Sequence, residues 1–366
     1  GMSGIARVLL TRGVAVSGSD AKSSRRLQSL IPLGADAYVG HDAQRMGRPD
    51  VVVMSTAIPD TNVELVRARE LGLTGQSRAQ ALAQLVAGNH VVSIAGTHGK
   101  TTTTSMVTVI LQSAGQNPSF VIGSEMNESG SNAHQGTGPH FVVEADESDG
   151  TFLVLPTTAA IVTNVEPDHL NYWANYQAIE DAFVEFVVET SKRGGTSVVC
   201  QDDPGARTVA QRATAQGAHV ITYGTHADAD AVVEVHQGTD ATVRFTITVG
   251  SHTIGPIVLR VPGVHNALNA TAAALICRDL GVSDEQVVAG LEAFTGTHRR
   301  FEFRGQAGGV RVFDDYSHHP TEEVAALPYF VRPAQWQARA ESSWPSRPTT
   351  TTAPRCFPRS LDKHWA

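Results

Sequence analysis

The sequence predicts an α/β protein with mostly parallel sheets, and three observations support this fold class. Short apolar runs typical of buried strands alternate with helical stretches along the chain. One of these runs leads into a glycine-rich loop and then a helix, which is the order of elements that surrounds a bound phosphate. The chain is 366 residues long, with 41% hydrophobic and 17% charged residues, which predicts two or three globular domains.

Residues 1–88 form the first predicted domain, which is Rossmann-like and binds the substrate. Two of its strand-like runs, AVSGSD and VVVMS, end at Asp20 and at Ser55. Ligands of parallel sheets bind at the carboxyl ends of the strands. We therefore expect Asp20, Ser55 and Thr56 to contact a nucleotide-like substrate. Side chains of these types also cap helices, and the sequence leaves that alternative open.

The start of the chain resembles part of a dinucleotide-binding turn. Residues 1–10 read GMSGIARVLL, which resembles the last glycine of a G-x-G-x-x-G turn and the helix after it. We therefore expect the first strand of this domain to be missing, and we count Ser3 among the substrate-binding residues. An ordinary helix start also fits this short segment.

Residues 89–304 form the second predicted domain, which opens with a phosphate-binding loop. The loop consists of Gly96, Thr97, His98, Gly99, Lys100, Thr101 and Thr102. A helix that begins at such a loop directs backbone N–H groups and a positive dipole end at one point. Lys100 adds a charge for the β- and γ-phosphates of ATP, and the Thr101 hydroxyl can ligate Mg²⁺. The glycine spacing is shorter than in the standard P-loop, so a turn that binds nothing is the alternative.

Two further strand ends supply candidate ligands for Mg²⁺. The run FVVE ends at Glu144, within the acidic segment EADESD, and the run AAIVTN leads to VEPDHL with His169. If these strands are parallel to the strand before the phosphate loop, Thr101, Glu144 and His169 lie at one edge of the sheet. They then hold Mg²⁺ against the phosphate oxygens. An exposed acidic turn and a surface histidine are the alternatives.

The later part of this domain is predicted to contact the nucleotide. Alternating runs after residue 230 predict a small antiparallel side sheet. A helix with Asn266 and Asn269 three residues apart on one face follows. Arg300 offers a guanidinium group that stabilises a phosphoryl group in transfer, and Asp315 is expected to bind a ribose hydroxyl. For His318 and His319, which follow Asp315, we favour nucleotide contact over a metal site.

Residues 305–366 form the third predicted region, where only about sixty residues remain for a further domain. From about residue 328 the chain carries six of its 17 prolines and three of its 4 tryptophans. This proline density excludes a continuous helix or a central strand. We expect a poorly ordered tail that arose from a shifted reading frame, and a natural proline-rich tail is the alternative.

Composition restricts the class of protein. A formal net charge of −8 argues against a surface that coats nucleic acid. Cys200, Cys277 and Cys356 lack a C-x-x-C spacing, so we expect reduced thiols and neither a disulfide framework nor a zinc site. We find no export signal and no apolar run of the roughly 18–20 residues that a membrane span needs. These features predict a cytoplasmic protein without a membrane partner, and they leave its oligomeric state open.

Five segments together resemble the Mur ligase family, which builds the peptide stem of bacterial cell-wall precursors. They are GTHGKTTT, EADESDGTF, NVEPDH, GVHNALNA and DDYSHHPTE, and the resemblance covers residues 1 to about 323. MSGIARVLL, VSGSD, STAIPDTN and NESGSNAH are similar to the members that join L-alanine to UDP-N-acetylmuramate. The resemblance implies a UDP-substrate domain, a central ATPase domain and a C-terminal Rossmann-like domain, in a cytoplasmic enzyme.

The resemblance also implies a reaction and a set of site residues. The lactyl carboxylate of UDP-N-acetylmuramate attacks the γ-phosphate of ATP, and the amine of L-alanine then displaces phosphate. The loop residues would bind the phosphates, with Lys100, His169 and Arg300 as the catalytic residues. The remaining assignments are Thr101, Glu144 and His169 to magnesium, Asn266 and Asn269 to adenine, Arg300 to the phosphates and Asp315 to ribose.

The chain departs from the family pattern at both ends. From the resemblance we expect the full glycine turn for the UDP diphosphate to be missing and the third, Rossmann-like domain to be a remnant without its amino-acid-binding residues beyond DDYSHHPTE. We therefore expect an impaired ligase. Three alternatives remain: a murein tripeptide ligase of the same family, a nucleotide-binding protein without catalysis, and an unrelated P-loop hydrolase or kinase.

Overall fold

The computed structural model describes residues 2–127, 131–170, 172–239, 242–308, 310–317 and 321–324. The predicted tail from residue 328, Cys356 and the two histidines at 318 and 319 lie outside the described residues. The helices are α1 Met2–Thr11, α2 Arg25–Gln28, α3 Val63–Glu70, α4 Arg78–Val86, α5 Lys100–Ser113, α6 Thr151–Val154, α7 Tyr176–Lys192, α8 Pro204–Ala215, α9 Val264–Asp279 and α10 Asp284–Ala293, with a 3-10 helix at Ile31–Leu33.

The strands are β1 Ser17–Asp20, β2 Asp36–Val39, β3 Val51–Met54, β4 Thr74–Ser77, β5 His90–Ala95, β6 Ser119–Val121, β7 Ala133–His134, β8 His140–Glu144, β9 Ala159–Val162, β10 Thr196–Cys200, β11 Val220–Gly224, β12 Ala231–Thr239, β13 Thr242–Val249, β14 His252–Leu259, β15 Glu302–Ala307 and β16 Val310–Asp314. The predicted α/β class with a mostly parallel sheet is therefore confirmed. Among the described residues, no helix is long and apolar enough to cross a membrane.

The first region contains two separate two-stranded sheets. β1 pairs with β2, and β3 pairs with β4, both in parallel as the sequence predicts. Asn62 accepts hydrogen bonds from the backbone N–H groups of Glu64 and Leu65 and so caps the N-terminus of α3. At α4, Ser77 and Gln80 form a capping box.

A ten-stranded sheet forms the centre of the second region. Its strand order is β14-β13-β12-β11-β10-β9-β5-β8-β6-β7. The strands from β11 to β6 in this order are parallel to one another. β13 is antiparallel to both of its neighbours, β12 and β14. The antiparallel strands predicted from the sequence join the edge of this sheet through β11 and β12. β5, which precedes the predicted phosphate loop, is thus an interior strand covered by neighbours on both sides.

Helix α5 is buried despite its polar sequence, KTTTTSMVTVILQS. Met106, Ile110 and Leu111 have no exposed surface. The hydroxyls of Thr104 and Thr108 donate to carbonyl groups four residues earlier in the same helix, which satisfies them without water. Burial against the sheet and α9 therefore outweighs the low helix propensity of threonine, and it holds the start of α5 in a fixed position.

β15 and β16 form an antiparallel hairpin in the third region. Phe303, Val310 and Val312 on this hairpin are each more than half exposed. β15 spans residues 304 and 305, where the sequence analysis placed a domain boundary. The predicted domain limits remain predictions.

Candidate active site

Three strands bring the candidate site together at one edge of the central sheet. β5 lies between β8 and β9 and is parallel to both, with Ile94 opposite Glu144 and Ala95 opposite Val162. Because parallel strands end at the same edge, the phosphate loop, Glu144 and the segment after β9 lie side by side. This is the arrangement that Thr101, Glu144 and His169 need if they are to bind one ion.

The loop itself needs glycine at both of its glycine positions. Gly96 and Gly99 have φ angles of +131° and +78°, in the region that other residues rarely adopt. A Cβ atom on Gly96 would overlap the Thr163 hydroxyl, and one on Gly99 would lie 2.8 Å from the side-chain oxygen of Asn269. The loop therefore passes closely between β9 and α9.

The segment after β9 holds the loop in place. The side-chain oxygen of Asn164 accepts a hydrogen bond from the His98 N–H at 2.7 Å, and the Asn164 carbonyl accepts one from the Thr97 N–H at 3.2 Å. The Glu166 N–H donates to the Thr97 hydroxyl at 2.9 Å. These contacts connect the NVEPDH segment directly to the phosphate loop. No local sequence pattern indicates this role of Asn164.

The N-terminus of α5 is a suitable anion site. Gly99 is its N-cap residue, and no side chain caps the first turn. The first N–H groups of a helix lack partners within the helix, and the helix dipole favours negative charge there. A phosphate group bound by this turn would satisfy both.

Lys100 is buried and fully engaged by protein groups. Its ammonium donates to the Gly96 carbonyl at 2.6 Å, the Thr97 carbonyl at 3.2 Å, and the Glu147 carboxylate at 2.7 and 2.9 Å. Burial alone would lower the pKa of Lys100, but nearby carboxylates, with Glu147 the strongest, outweigh burial and raise it. Lys100 is therefore a permanent cation at the centre of the loop.

Thr101 and Glu144 are in direct contact. The Thr101 hydroxyl lies 3.1 and 3.2 Å from the two carboxylate oxygens of Glu144, and the Gly123 N–H donates to one of them at 2.7 Å. Hydroxyl and carboxylate oxygens are hard ligands of the type that Mg²⁺ binds. One magnesium ion can therefore bind both side chains with little movement.

His169 lines the same pocket as Thr101 and Glu144. Its Nε2 is 3.6 Å from an Asp168 oxygen and 3.8 Å from a Glu147 oxygen, and 37% of its side chain is exposed. Its φ angle of +50° is uncommon for a residue other than glycine. The structure thus places His169, Thr101 and Glu144 around one cavity.

Arg300 borders this cavity and joins a second set of charged contacts. Its guanidinium is 3.3 Å from Glu322, whose carboxylate is also 3.5 Å from His98 Nδ1. The other ring nitrogen of His98, Nε2, is 3.6 Å from a carboxylate oxygen of Glu166. Glu166 also accepts a hydrogen bond from the Thr321 hydroxyl. The segment containing residues 321–324 therefore contacts the phosphate loop, a contact that the sequence did not predict.

A second cavity adjoins the loop on the side of α9. It contains the residues predicted for adenine and ribose, and its lining includes His98, Thr102, His265, Asn266, Asn269, Arg300 and Asp315. Asn266 and Asn269 are buried, and the Asn266 amide donates to the Pro262 carbonyl at 2.6 Å. Burial lowers the pKa of His265, so this part of the cavity is lined by a neutral imidazole at pH 7. The predicted nucleotide residues thus lie next to the predicted metal residues.

The charges of the cavity around Lys100 favour a cation. Four carboxylates line it, together with the guanidinium of Arg300 and the ammonium of Lys100. A bound polyphosphate would add further negative charge, so a divalent ion would compensate the surplus. Within the described part of the chain, no three His, Cys, Asp or Glu side chains are grouped to hold a metal ion. Phosphate oxygens and water must then complete the coordination, as is usual for Mg²⁺.

Three of the four predicted substrate residues of the first region make hydrogen bonds within the protein. Asp20 accepts a hydrogen bond from the Lys22 N–H at 3.1 Å, and Ser55 accepts one from the Ala57 N–H at 3.3 Å. Thr56 is exposed. The Ser3 hydroxyl accepts a 3.4 Å hydrogen bond from Asn132 of the second region. None of these four residues lines either cavity described above.

The first region contains a polar cluster that the sequence analysis did not identify. Glu64 accepts hydrogen bonds from the Ser19 hydroxyl at 2.5 Å and the Tyr38 hydroxyl at 2.8 Å. Ser19 also lies 2.8 Å from His41 Nδ1. Burial raises the pKa of Glu64, but these hydrogen bonds outweigh it and lower that pKa overall, so Glu64 is ionised. The four residues come from separate segments, so no sequence motif indicates them.

Comparison with known proteins gives consistent matches. The family described as "Mur ligase middle domain" matches residues 94–277, and the one described as "Mur ligase family, catalytic domain" matches residues 1–90. A UDP-N-acetylmuramate–L-alanine ligase from Acidothermus cellulolyticus is 53% identical over 327 residues, which are 89% of this chain and 68% of the relative. The enzyme of the same name from Renibacterium salmoninarum is 49% identical, over 89% of this chain and 70% of its own length.

Solved structures of two ligases are also similar to this chain. The UDP-N-acetylmuramate-alanine ligase of Thermotoga maritima superposes with a TM-score of 0.79 at 28% identity, covering 90% of this chain and 74% of that one. A murein peptide ligase from Psychrobacter arcticus superposes with a TM-score of 0.73 at 27% identity, covering 89% and 73%.

Proposed function

This chain belongs to the Mur ligase family, and from that premise we propose that it joins L-alanine to UDP-N-acetylmuramate at the expense of ATP. Relatives named for this reaction are 53% and 49% identical over 89% of the chain. The phosphate loop between Glu144 and the NVEPDH segment is the structural observation that carries the proposal. The reaction supplies a precursor for peptidoglycan synthesis, and we propose the cytoplasm as its location.

The site residues suit a reaction that depends on positioning and charge. Phosphoryl transfer needs little covalent chemistry from the protein. We assign Lys100 to the β- and γ-phosphates, where its positive charge offsets the charge of the group in transfer. Arg300 borders the same cavity and offers a second cation.

We propose that Thr101, Glu144 and His169 hold Mg²⁺. The donor set fits this ion, because the Thr101 hydroxyl and the Glu144 carboxylate are already within 3.2 Å of one another. Bound Mg²⁺ supplies neutralisation of phosphate charge and a fixed orientation of the phosphate chain. Asn266, Asn269 and Asp315 are our assignments for the adenosine part of ATP, because they line the adjoining cavity.

Ser3, Asp20, Ser55 and Thr56 remain our proposal for the UDP-substrate. Their support is their position at strand ends and at the first helix of the region that matches the family at residues 1–90. The hydrogen bonds that Asp20, Ser55 and Ser3 make do not prevent this role, because each uses only part of the side chain's bonding capacity.

Phosphate release tests the proposed function. Purified protein is incubated with ATP, Mg²⁺, UDP-N-acetylmuramate and either L-alanine or the murein tripeptide, and each component is omitted in turn. We expect phosphate release that requires both the UDP-sugar and L-alanine. Phosphate release with the tripeptide but not with L-alanine would show that the tripeptide is the acceptor. Binding of ATP without any release would identify a nucleotide-binding protein that is not a ligase.

A further inference from the structure

Glu147 is the least exposed ionisable group in contact with the phosphate loop. It lies in the segment after β8, its side chain is 3% exposed, and both of its oxygens accept hydrogen bonds from the Lys100 ammonium. Its backbone carbonyl accepts a 3.0 Å hydrogen bond from the Trp173 indole. Glu147 is therefore held from two directions, by its main chain and by its side chain.

Lys100 has more hydrogen-bond acceptors around it than it has N–H donors. An ammonium group has three N–H donors, whereas four protein oxygens lie within 3.2 Å of Lys100 Nζ. The contact with the Thr97 carbonyl is the longest, at 3.2 Å. Loss of the contact with Glu147 would leave a buried carboxylate without its cation, which is strongly unfavourable. We therefore expect a bound phosphate oxygen to displace the Thr97 carbonyl and the contact with Glu147 to remain.

On the basis of the proposed function, we propose that Glu147 is a positioning residue, which directs the Lys100 ammonium at the phosphoryl group in transfer. Glu147 and the Gly96 carbonyl, at 2.6 Å, hold two of the three N–H donors on the protein side. The remaining donor then points to the phosphates. Glu147 itself does not touch the nucleotide.

This role predicts opposite effects on binding and on turnover. Replacement of Glu147 by glutamine removes a negative charge beside the phosphates, so ATP should bind as tightly as before or more tightly. The glutamine oxygen still accepts one hydrogen bond, so Lys100 is only partly misdirected. Replacement of Glu147 by alanine removes both carboxylate oxygens and leaves the Lys100 ammonium free to move. Misplacement of a catalytic group by about 1 Å can cost about 100-fold in rate.

The experiment compares Glu147→Gln and Glu147→Ala with wild type. The surface pair Glu189–Lys192 has the same 2.7 Å separation, so Glu189→Gln serves as the matched control. Calorimetry measures the Kd of the nonhydrolysable analogue AMP-PNP and of ADP, both with Mg²⁺, and phosphate release measures kcat at saturating ATP. Circular dichroism checks that each variant is folded.

We expect kcat to fall about 10-fold for Glu147→Gln and about 100-fold for Glu147→Ala, with AMP-PNP bound within about threefold of wild type or more tightly. The preference for AMP-PNP over ADP should decrease in the alanine variant, because Lys100 no longer faces the γ-phosphate. The control should match wild type. Unchanged kcat in folded variants, or equal loss of AMP-PNP and ADP binding, would overturn the proposal.

The binding measurements separate this proposal from the proposed function. If wild type shows no turnover with any acceptor, the proposed reaction fails. The ratio of the AMP-PNP and ADP affinities still tests Glu147, because it needs no turnover. A ratio that is the same in wild type and in folded Glu147→Ala overturns the positioning role.

Discussion

Gly99 and Gly115 lie at opposite ends of α5 and offer a matched pair of substitutions. Their φ angles are nearly equal, at +78° and +76°. A Cβ atom on Gly115 would meet no heavy atom within 4 Å, whereas one on Gly99 would lie 2.8 Å from the Asn269 oxygen. Substitution by alanine therefore costs the same backbone strain at both positions, and only at Gly99 does it displace a buried neighbour.

The magnitudes follow from these contacts. Left-handed backbone costs alanine about 1–2 kcal/mol, so Gly115→Ala should lower the free energy of unfolding by that amount. Gly99→Ala adds an overpacking cost of about 1–3 kcal/mol, for a total of about 2–5 kcal/mol. Displacement of Asn269 and of the first turn of α5 should also raise the Kd of ATP about tenfold or more, which corresponds to about 1.4 kcal/mol.

Urea unfolding and calorimetric titration with Mg²⁺ and AMP-PNP measure the two effects. Gly115→Ala should bind AMP-PNP like wild type. The reasoning fails if Gly99→Ala binds AMP-PNP as tightly as Gly115→Ala, or if both substitutions weaken binding equally, because the effect would then come from the helix as a whole.

Three further predictions concern single contacts. Glu144→Gln should weaken the Mg²⁺-dependent part of AMP-PNP binding about tenfold and leave binding without Mg²⁺ nearly unchanged, and titrations with and without the ion check this. Arg78→Ala breaks the 2.7 Å ion pair with the poorly exposed Asp149 and should lower the free energy of unfolding by about 3 kcal/mol in urea titrations, whereas no change would mean that this pair contributes nothing. Burial lowers the pKa of His140, so the unfolded chain binds a proton that the folded protein does not, and stability should fall as the pH drops below about 6.5. His140→Gln should make that decline shallower in urea midpoints measured at pH 7.5 and 5.5, and an equal or steeper decline would contradict the assignment.

The sequence was sufficient for the arrangement of the central strands. β5, β8 and β9 are apolar runs that end in polar segments, and a parallel sheet covered on both faces requires such runs. The glycine-rich loop between a strand and a helix could likewise be recognised from local sequence as a candidate phosphate site. Both features are formed by consecutive residues, so they can be predicted from the sequence.

Contacts between distant segments were not predictable in the same way. EADESD offers several carboxylates in succession, and only the fold shows that Glu147 contacts Lys100 while Asp149 contacts Arg78. The contact of Glu322 with His98 likewise joins residues far apart in the chain. Asn62, which lies in the same loop as Ser55 and Thr56, caps the first turn of α3.

A crystal structure with Mg²⁺ and AMP-PNP tests the central claim most directly. We expect one ion that contacts the β- and γ-phosphates, the Thr101 hydroxyl and the Glu144 carboxylate, with His169 completing the protein side, at distances of about 2.0–2.1 Å for the oxygen ligands. An ion that contacts none of these side chains, or phosphates bound away from the loop at residues 96–102, would contradict the account.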